Sequence, residues 1–162
     1  MKALKFQITL LVLIVCICSC TSSKYTLQKQ APIQLTQTYL QHWTTGVAIG
    51  SSGVNLYFAY LYPNHKGITI DSVYFRKMKG KLKPIKGQYF SRLTRMLSNK
   101  EGNALTTNGY FPFDLNNREC VISYTEEGTT KYYKVSNIKE KEGVYYPDGP
   151  PNNYFFFTLT KS

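Results

Sequence analysis

The side chains of this 162-residue chain that could do chemistry are four cysteines, two histidines and one dense run of cations. Cys16, Cys18 and Cys20 fall two apart in LIVCICSCTSSK, a spacing open to metal ligands, disulfide halves or a processing signal. Cys120 stands alone in ECVISY, with no histidine near it in sequence to activate a thiolate, and reads as a small buried hydrophobe. His42 and His65 belong to no motif: His42 precedes Trp43 at a strand start, and His65 lies in the turn-like YPNHKG. Zinc sites want Cys, His or acids at tight spacing, and the chain beyond residue 19 has no such set. It has no nucleophile elbow and no P-loop. GVAIGSSG departs from GxGxxG, and a β-hairpin explains its glycines. The nine acids are scattered, with Glu126-Glu127 in a turn. The expectation is a non-enzymatic protein with no catalytic residues, no metal and no cofactor.

What precedes the cysteines sorts them. Lys2 and Lys5 make a short basic start, and FQITLLVLIVCIC is apolar apart from Gln7 and Thr9. A helix that crosses a bilayer needs about 20 apolar residues. This run is shorter, ends in small residues and gives way to Thr, Ser and Lys, the layout of a secretory signal. Its end resembles a bacterial lipoprotein signal, which has an apolar residue at −3, small residues at −2 and −1, then the acylated Cys. Cys20 fits, with Ile17, Cys18 and Ser19 before it. Cys16 and Cys18 follow bulky Val15 and Ile17 and do not fit. The resemblance implies that Cys20 carries lipid, palmitate included, while Cys16 and Cys18 leave with the signal. Cleavage removes two lysines and no acid, so the formal charge of +11 falls by two. With Cys20 acylated and only Cys120 left, no intramolecular disulfide can form, although an exported compartment permits one.

Three regions follow: a signal over 1–19, the lipidated Cys with a flexible tether over 20–38, and one domain over 39–162. The tether is rich in Thr, Ser and Gln, and a coil of that length spans on the order of 20–25 Å. The domain is long enough to bury roughly two-thirds of its surface. The chain's 14 tyrosines and nine phenylalanines, all but Tyr25 and Phe6 in this domain, suit half-buried pleated surfaces. GITIDSVYFRKM alternates, with Ile68, Ile70, Ser72 and Tyr74 on one face and Thr69, Asp71, Val73 and Phe75 on the other. CVISYTEEGTTKYYKVSNI reads as a hairpin around Glu127-Gly128, WTTGVAIGSSGVNLYFAYLY as another around Ser51-Ser52-Gly53, and NYFFFTLT as a last strand. Further turns fall at Pro63-Asn64, Lys79-Gly80, Asn108-Gly109 and Pro147–Pro151. SRLTRMLSNKEG is the sole helix candidate and reads equally as a strand. The pattern predicts an all-β fold, an antiparallel β-sandwich of immunoglobulin-like kind, with a small barrel as the alternative.

Two surface signals remain. FRKMKGKLKPIKG gathers Arg76, Lys77, Lys79, Lys81, Lys83 and Lys86 with no acid. A strand would put Lys81 and Lys83 on one face, a ridge able to attract anionic lipid, lipopolysaccharide phosphate or an acidic protein. The same lysines would equally guard a sheet edge against aggregation. EGVYYPDGPPNNYFFF crowds aromatics into a Pro- and Gly-rich loop, so some of Tyr145, Tyr146 and Tyr154 should be exposed for stacking on sugar or anchoring an interface. They could instead close the end of the sandwich.

Taken together, WTTGVAIGSSGVNLYF, IDSVYFRKMKGKL, PFDLNNRECVISYTEEGTTKYYKVSNIKEKEG and YYPDGPP resemble a family of small envelope lipoproteins of Bacteroidota, over most of Tyr39 to Pro151. The resemblance implies no activity and no catalytic residue. It implies an envelope lipoprotein of unknown role. The expectation is an outer-membrane-anchored accessory subunit or binding module with an envelope protein partner; the alternative is a binder of glycan or lipopolysaccharide through the basic ridge and the tyrosines, the third an unrecognised hydrolase, and no nucleic acid is expected. Thr21-Ser22-Ser23-Lys24 lacks the acids that mark surface export in that phylum, which favours the periplasmic face. Asp71-Ser72-Val73 resembles its short O-glycosylation motif, and a buried strand accounts for Ser72 equally well.

Overall fold

The computed structural model describes residues 25–46, 51–85, 87–96 and 111–151. Cys20, Lys86, Tyr154, the NYFFFTLT strand and the Asn108-Gly109 turn lie outside the described residues. The strands are β1 (Leu27–Gln28), β2 (Ile33–Gln34), β3 (Gln37–Thr45), β4 (Ser51–Ala59), β5 (Tyr62–Pro63) and β6 (Ile68–Phe75). They continue with β7 (Met78–Lys81), β8 (Lys83–Ile85), β9 (Gln88–Met96), β10 (Cys120–Glu126), β11 (Thr129–Val135) and β12 (Lys139–Tyr146). Sheet I runs β1-β11-β10-β6-β7 and sheet II runs β12-β3-β4-β9-β8, with β2-β5 as a small third pair. Both large sheets end in edge strands, so the fold is an all-β sandwich and not a closed barrel. No helix occurs among the described residues, and the one helix candidate is strand β9 as far as Met96.

The core between the sheets follows from alternation. Val54, Leu56 and Phe58 of β4 and Leu40 of β3 meet Val73 and Phe75 of β6 and Ile122 of β10, all nearly or wholly excluded from water. Full burial of each such side chain is worth about 1.5–3 kcal/mol. Strand β6 does not keep a single alternation. Against β10 its register slips between Ser72 and Ile70, leaving Asp71 as the extra residue of a bulge. The slip turns Ile70 to the same core as Val73 and Phe75, whereas the sequence pattern had set Ile70 opposite them.

The outer face of sheet I is buried too. Tyr74, Val121 and Tyr132 form a second cluster beneath Tyr25, Phe111, Phe113 and Leu115. Its rings meet edge-on or tilted: Tyr74 to Phe113 at 5.1 Å, Phe113 to Tyr132 at 5.4 Å and Tyr25 to Tyr132 at 5.4 Å. Such geometry sets a ring edge against a neighbouring face. This cluster shortens the expected tether. Leu27–Gln28 pairs in parallel with Tyr132–Tyr133, and Thr38 is buried within β3. Among the described residues the packed chain therefore reaches back past Tyr39 to Tyr25.

Pairing is antiparallel except at two edges, where β1 joins β11 and β12 joins β3 in parallel. Strand β12 arrives from sheet I and β1 leads on to β2 and sheet II, so no hairpin joins either strand to its parallel partner. The Glu127-Gly128 turn is as expected, with φ of 50° and 75° in a two-residue loop. Two other turns are displaced. Gly53 sits inside β4, where a Cβ would collide with the Leu93 carbonyl oxygen and the Trp43 ring. Gly80 sits inside β7, where a Cβ would come within 2.5 Å of the Leu93 and Ser91 side chains of β9. Both glycines serve close packing, and the β6–β7 turn is at Arg76-Lys77.

Candidate functional site

The structure divides the predicted basic ridge. The chain leaves sheet I at Lys81, buries Leu82 between the sheets and enters sheet II at Lys83. Lys81 and Lys83 therefore belong to the edge strands of two sheets rather than to one face of one strand. Lys79 lies over the Tyr74 ring, 5.1 Å from its centroid. Lys81 forms an ion pair with Asp71, whose carboxylate also accepts from Ser72 Oγ at 2.9 Å. The bond from Lys81 comes first in holding the Asp71 carboxyl below its ordinary range, with Ser72 adding to it against the cost of burial. Ser72 itself is 1% exposed and committed to Asp71, so the folded strand does not offer the glycosylation motif to an enzyme. Lys83 is exposed on β8.

Arg76 and Lys77 are different. They are the two central residues of the β6–β7 hairpin and have φ of 46° and 62°. Such a turn favours Asn-Gly, because left-handed backbone crowds a Cβ. Arg76 is held at three points. Its Nη2 donates to the Asn117 carbonyl oxygen at 3.1 Å, its Nη1 lies 3.3 Å from His42 Nε2, and its guanidinium carbon stands 4.8 Å from the Phe75 ring centroid. Arg76 Nε is buried with no hydrogen-bond partner. His42 Nε2 is also 3.2 Å from Glu140 Oε1. A neutral imidazole protonated on Nδ1 accepts from Arg76, whereas an imidazolium donates to Glu140. Lys77 is exposed. Beside this turn lies a cavity of about 300 Å³ lined by Arg76, Lys77, Phe111, Phe113, Asp114 and Leu115. Two cations thus share a cavity with two aromatic rings.

The tyrosines are elsewhere. Tyr145 is 61% exposed on β12. Tyr146 turns the other way, half-buried beside Asn55 and Arg92, and burial raises its phenol pKa. Arg92 Nε donates to Asn55 Oδ1 at 3.1 Å, and its Nη1 donates to the Pro151 carbonyl oxygen at 3.0 Å. Strands β3, β4 and β9 separate β12 from β8. Four strand spacings of about 4.8 Å put these edges roughly 19 Å apart, so Lys83 and the β12 tyrosines do not form one site.

A larger groove of about 620 Å³ separates the Ile33–Thr38 segment from Tyr133, Lys134, Ser136, Asn137 and Lys139. The buried Thr38 hydroxyl on its wall has no hydrogen-bond partner. Glu119 ties the neighbouring loop: it accepts from the Asn116 N–H at 3.1 Å and from Lys134 Nζ at 3.1 Å, and these lower its pKa in that order. Cys120 is wholly buried, and burial raises its thiol pKa. Among the described residues no three of His, Cys, Asp and Glu are placed to hold a metal ion. No helix among them is long and apolar enough to cross a membrane.

Sequence reasoning located Arg76 and Lys77 and missed Phe111, Phe113 and Thr38. Phe111 and Phe113 alternate in YFPFD, but nothing in the sequence ties them to Arg76 and Lys77. No family model matches the chain, and no curated protein or solved structure matches it either.

Proposed function

We propose that the protein is a lipid-anchored, non-enzymatic β-sandwich of the bacterial envelope, acting as a binding module or accessory subunit on the periplasmic side of the outer membrane. The observation that carries this reading is the signal that ends at Cys20, with Ile17, Cys18 and Ser19 before it. The packed chain supports it through distance. Tyr25 belongs to the aromatic cluster on sheet I and lies only five residues beyond Cys20. Five extended residues reach at most ~18 Å. A domain so held stays against its membrane and does not need chemistry of its own to act there. Acyl chains contribute about 0.8 kcal/mol per buried CH₂, so several hold far more firmly than one. The test is fractionation of cells expressing the wild type and Cys20→Ala. The wild type is expected in the membrane fraction, released by detergent and not by salt, and Cys20→Ala as an uncleaved or soluble form. Equal distribution of the two proteins, with the signal removed from both, would refute the anchor.

A further inference from the structure

Of the six cations in the basic stretch, the described ones fall into two groups. Lys79 is engaged with the Tyr74 ring, Lys81 with Asp71, and Lys83 belongs to a sheet edge. Arg76, itself engaged, and the exposed Lys77 line one cavity together with Phe111 and Phe113. A cationic rim over an aromatic floor recognises a ligand with two parts, an oxyanion and an apolar body. Arg76 is fixed by His42 and Asn117, so the charge is presented without a further ordering cost. Both turn residues keep a left-handed backbone that neither side chain favours, a cost that persists at sites where geometry serves a purpose. The cavity also has a place relative to the anchor. Phe113 of its floor packs against Tyr25 at 5.9 Å, and Tyr25 is five residues from Cys20.

We infer that the Arg76–Lys77 cavity is a binding site for the phosphate headgroup and adjoining glycerol and acyl carbons of an anionic phospholipid in the membrane that carries the domain. The phosphate sits between the Lys77 ammonium and the Arg76 guanidinium, and the carbons lie on Phe111 and Phe113. The choice of a membrane lipid over a free metabolite rests on the anchor proposed above, whereas the ionic and aromatic chemistry does not. Asp114, exposed on the same lining, offsets one of the two cations and leaves the other in excess, so a net anion is favoured over a neutral zwitterion by that one charge.

The test is isothermal titration of the full chain in a neutral detergent with dihexanoyl phosphatidate, dihexanoyl phosphatidylcholine and inorganic phosphate. Phosphatidate is expected to bind saturably, one per chain, at least tenfold more tightly than either of the others. Lys77→Gln removes one rim charge at an exposed position and should weaken phosphatidate at least fivefold. Lys83→Gln, an equal loss of charge on the far side of Leu82, should change it by less than twofold. Equal binding of phosphatidate and phosphatidylcholine would overturn the oxyanion half, and equal binding of phosphatidate and inorganic phosphate the lipid half. Equal losses in Lys77→Gln and Lys83→Gln would reduce the site to diffuse surface charge. Cys20→Ala separates the two proposals. If it leaves the membrane fraction yet binds phosphatidate, both stand. If it stays in the membrane fraction with its signal removed, the anchor falls whatever the titration shows.

Discussion

The β6–β7 turn allows a substitution that should improve the fold while damaging the site. Lys77 is at the second central position of a two-residue hairpin with φ of 62°, where glycine is favoured. Left-handed backbone costs a residue with a Cβ roughly 1–2 kcal/mol. Glycine removes that cost but adds about 0.5–1 kcal/mol of chain entropy lost on folding. The balance for Lys77→Gly is a gain of about 0.5–1 kcal/mol. For a domain of this size that amounts to about 2–4 °C in melting temperature. The assay is thermal and urea unfolding of the full chain in neutral detergent, followed by near-ultraviolet circular dichroism. The urea midpoint should rise with no change in slope, since the surface exposed on unfolding is the same. The same variant should lose phosphatidate affinity, because glycine carries no ammonium. A lower melting temperature in Lys77→Gly would refute the turn argument, since it would mean that the lysine is worth more to the fold than its backbone costs.

Three further outcomes are expected. Cys120, wholly buried and with its thiol pKa raised, should resist thiol reagents in the folded protein and react on denaturation; Cys120→Ser should cost about 1–3 kcal/mol, seen as a lower urea midpoint, if the hydroxyl finds no partner. Asp71, Glu119 and Glu126 have carboxyl pKa values below their ordinary range, the first and third chiefly through hydrogen bonds from Lys81 and Lys131 and Glu119 chiefly through the Asn116 N–H. A depressed folded-state pKa contributes stability that is fully present above the unfolded value of about 4 and is lost as pH falls through the folded value, so the urea midpoint should fall on acidification below about pH 4, and Asp71→Asn should flatten that fall. Changing Lys79 and Lys83 together to Thr should promote aggregation, whereas Glu at both should keep the protein monomeric by light scattering, because either sign of charge blocks an exposed edge.

The legibility of this fold depended on how many jobs each residue does. The β10–β11 hairpin could be placed to the residue because Glu127-Gly128 serves only a turn. Gly80 and Gly53 misled because a glycine that allows close packing looks the same as a glycine that allows a turn. The real turn at Arg76-Lys77 carries none of the usual residues, so no local preference could reveal it. The bulge at Asp71 was hidden for a related reason: alternation reads a face only while the register holds. Lys81 and Lys83 were assigned to one face because their alternation continues across Leu82, and sequence does not show a chain changing sheets there. The Ser- and Thr-rich stretch after Cys20 has the composition of a linker, yet Tyr25 and Leu27 are drawn into a sheet by partners more than 80 residues away. Of the candidate cavity, the two cations were legible because six basic residues crowd together without an acid. Its aromatic floor was not, since Phe111 and Phe113 reach it only through the tertiary fold.

The anchor at Cys20 decides where the protein acts, and the mass of the native protein tests it most directly. Protein extracted from its own membranes with detergent, digested and analysed by mass spectrometry, should yield an amino-terminal peptide that begins at Cys20 and carries a diacylglycerol thioether, with palmitate among its acyl chains. A peptide that begins at Cys20 with a free thiol, or one that runs intact through Cys16 and Cys18, would contradict the account.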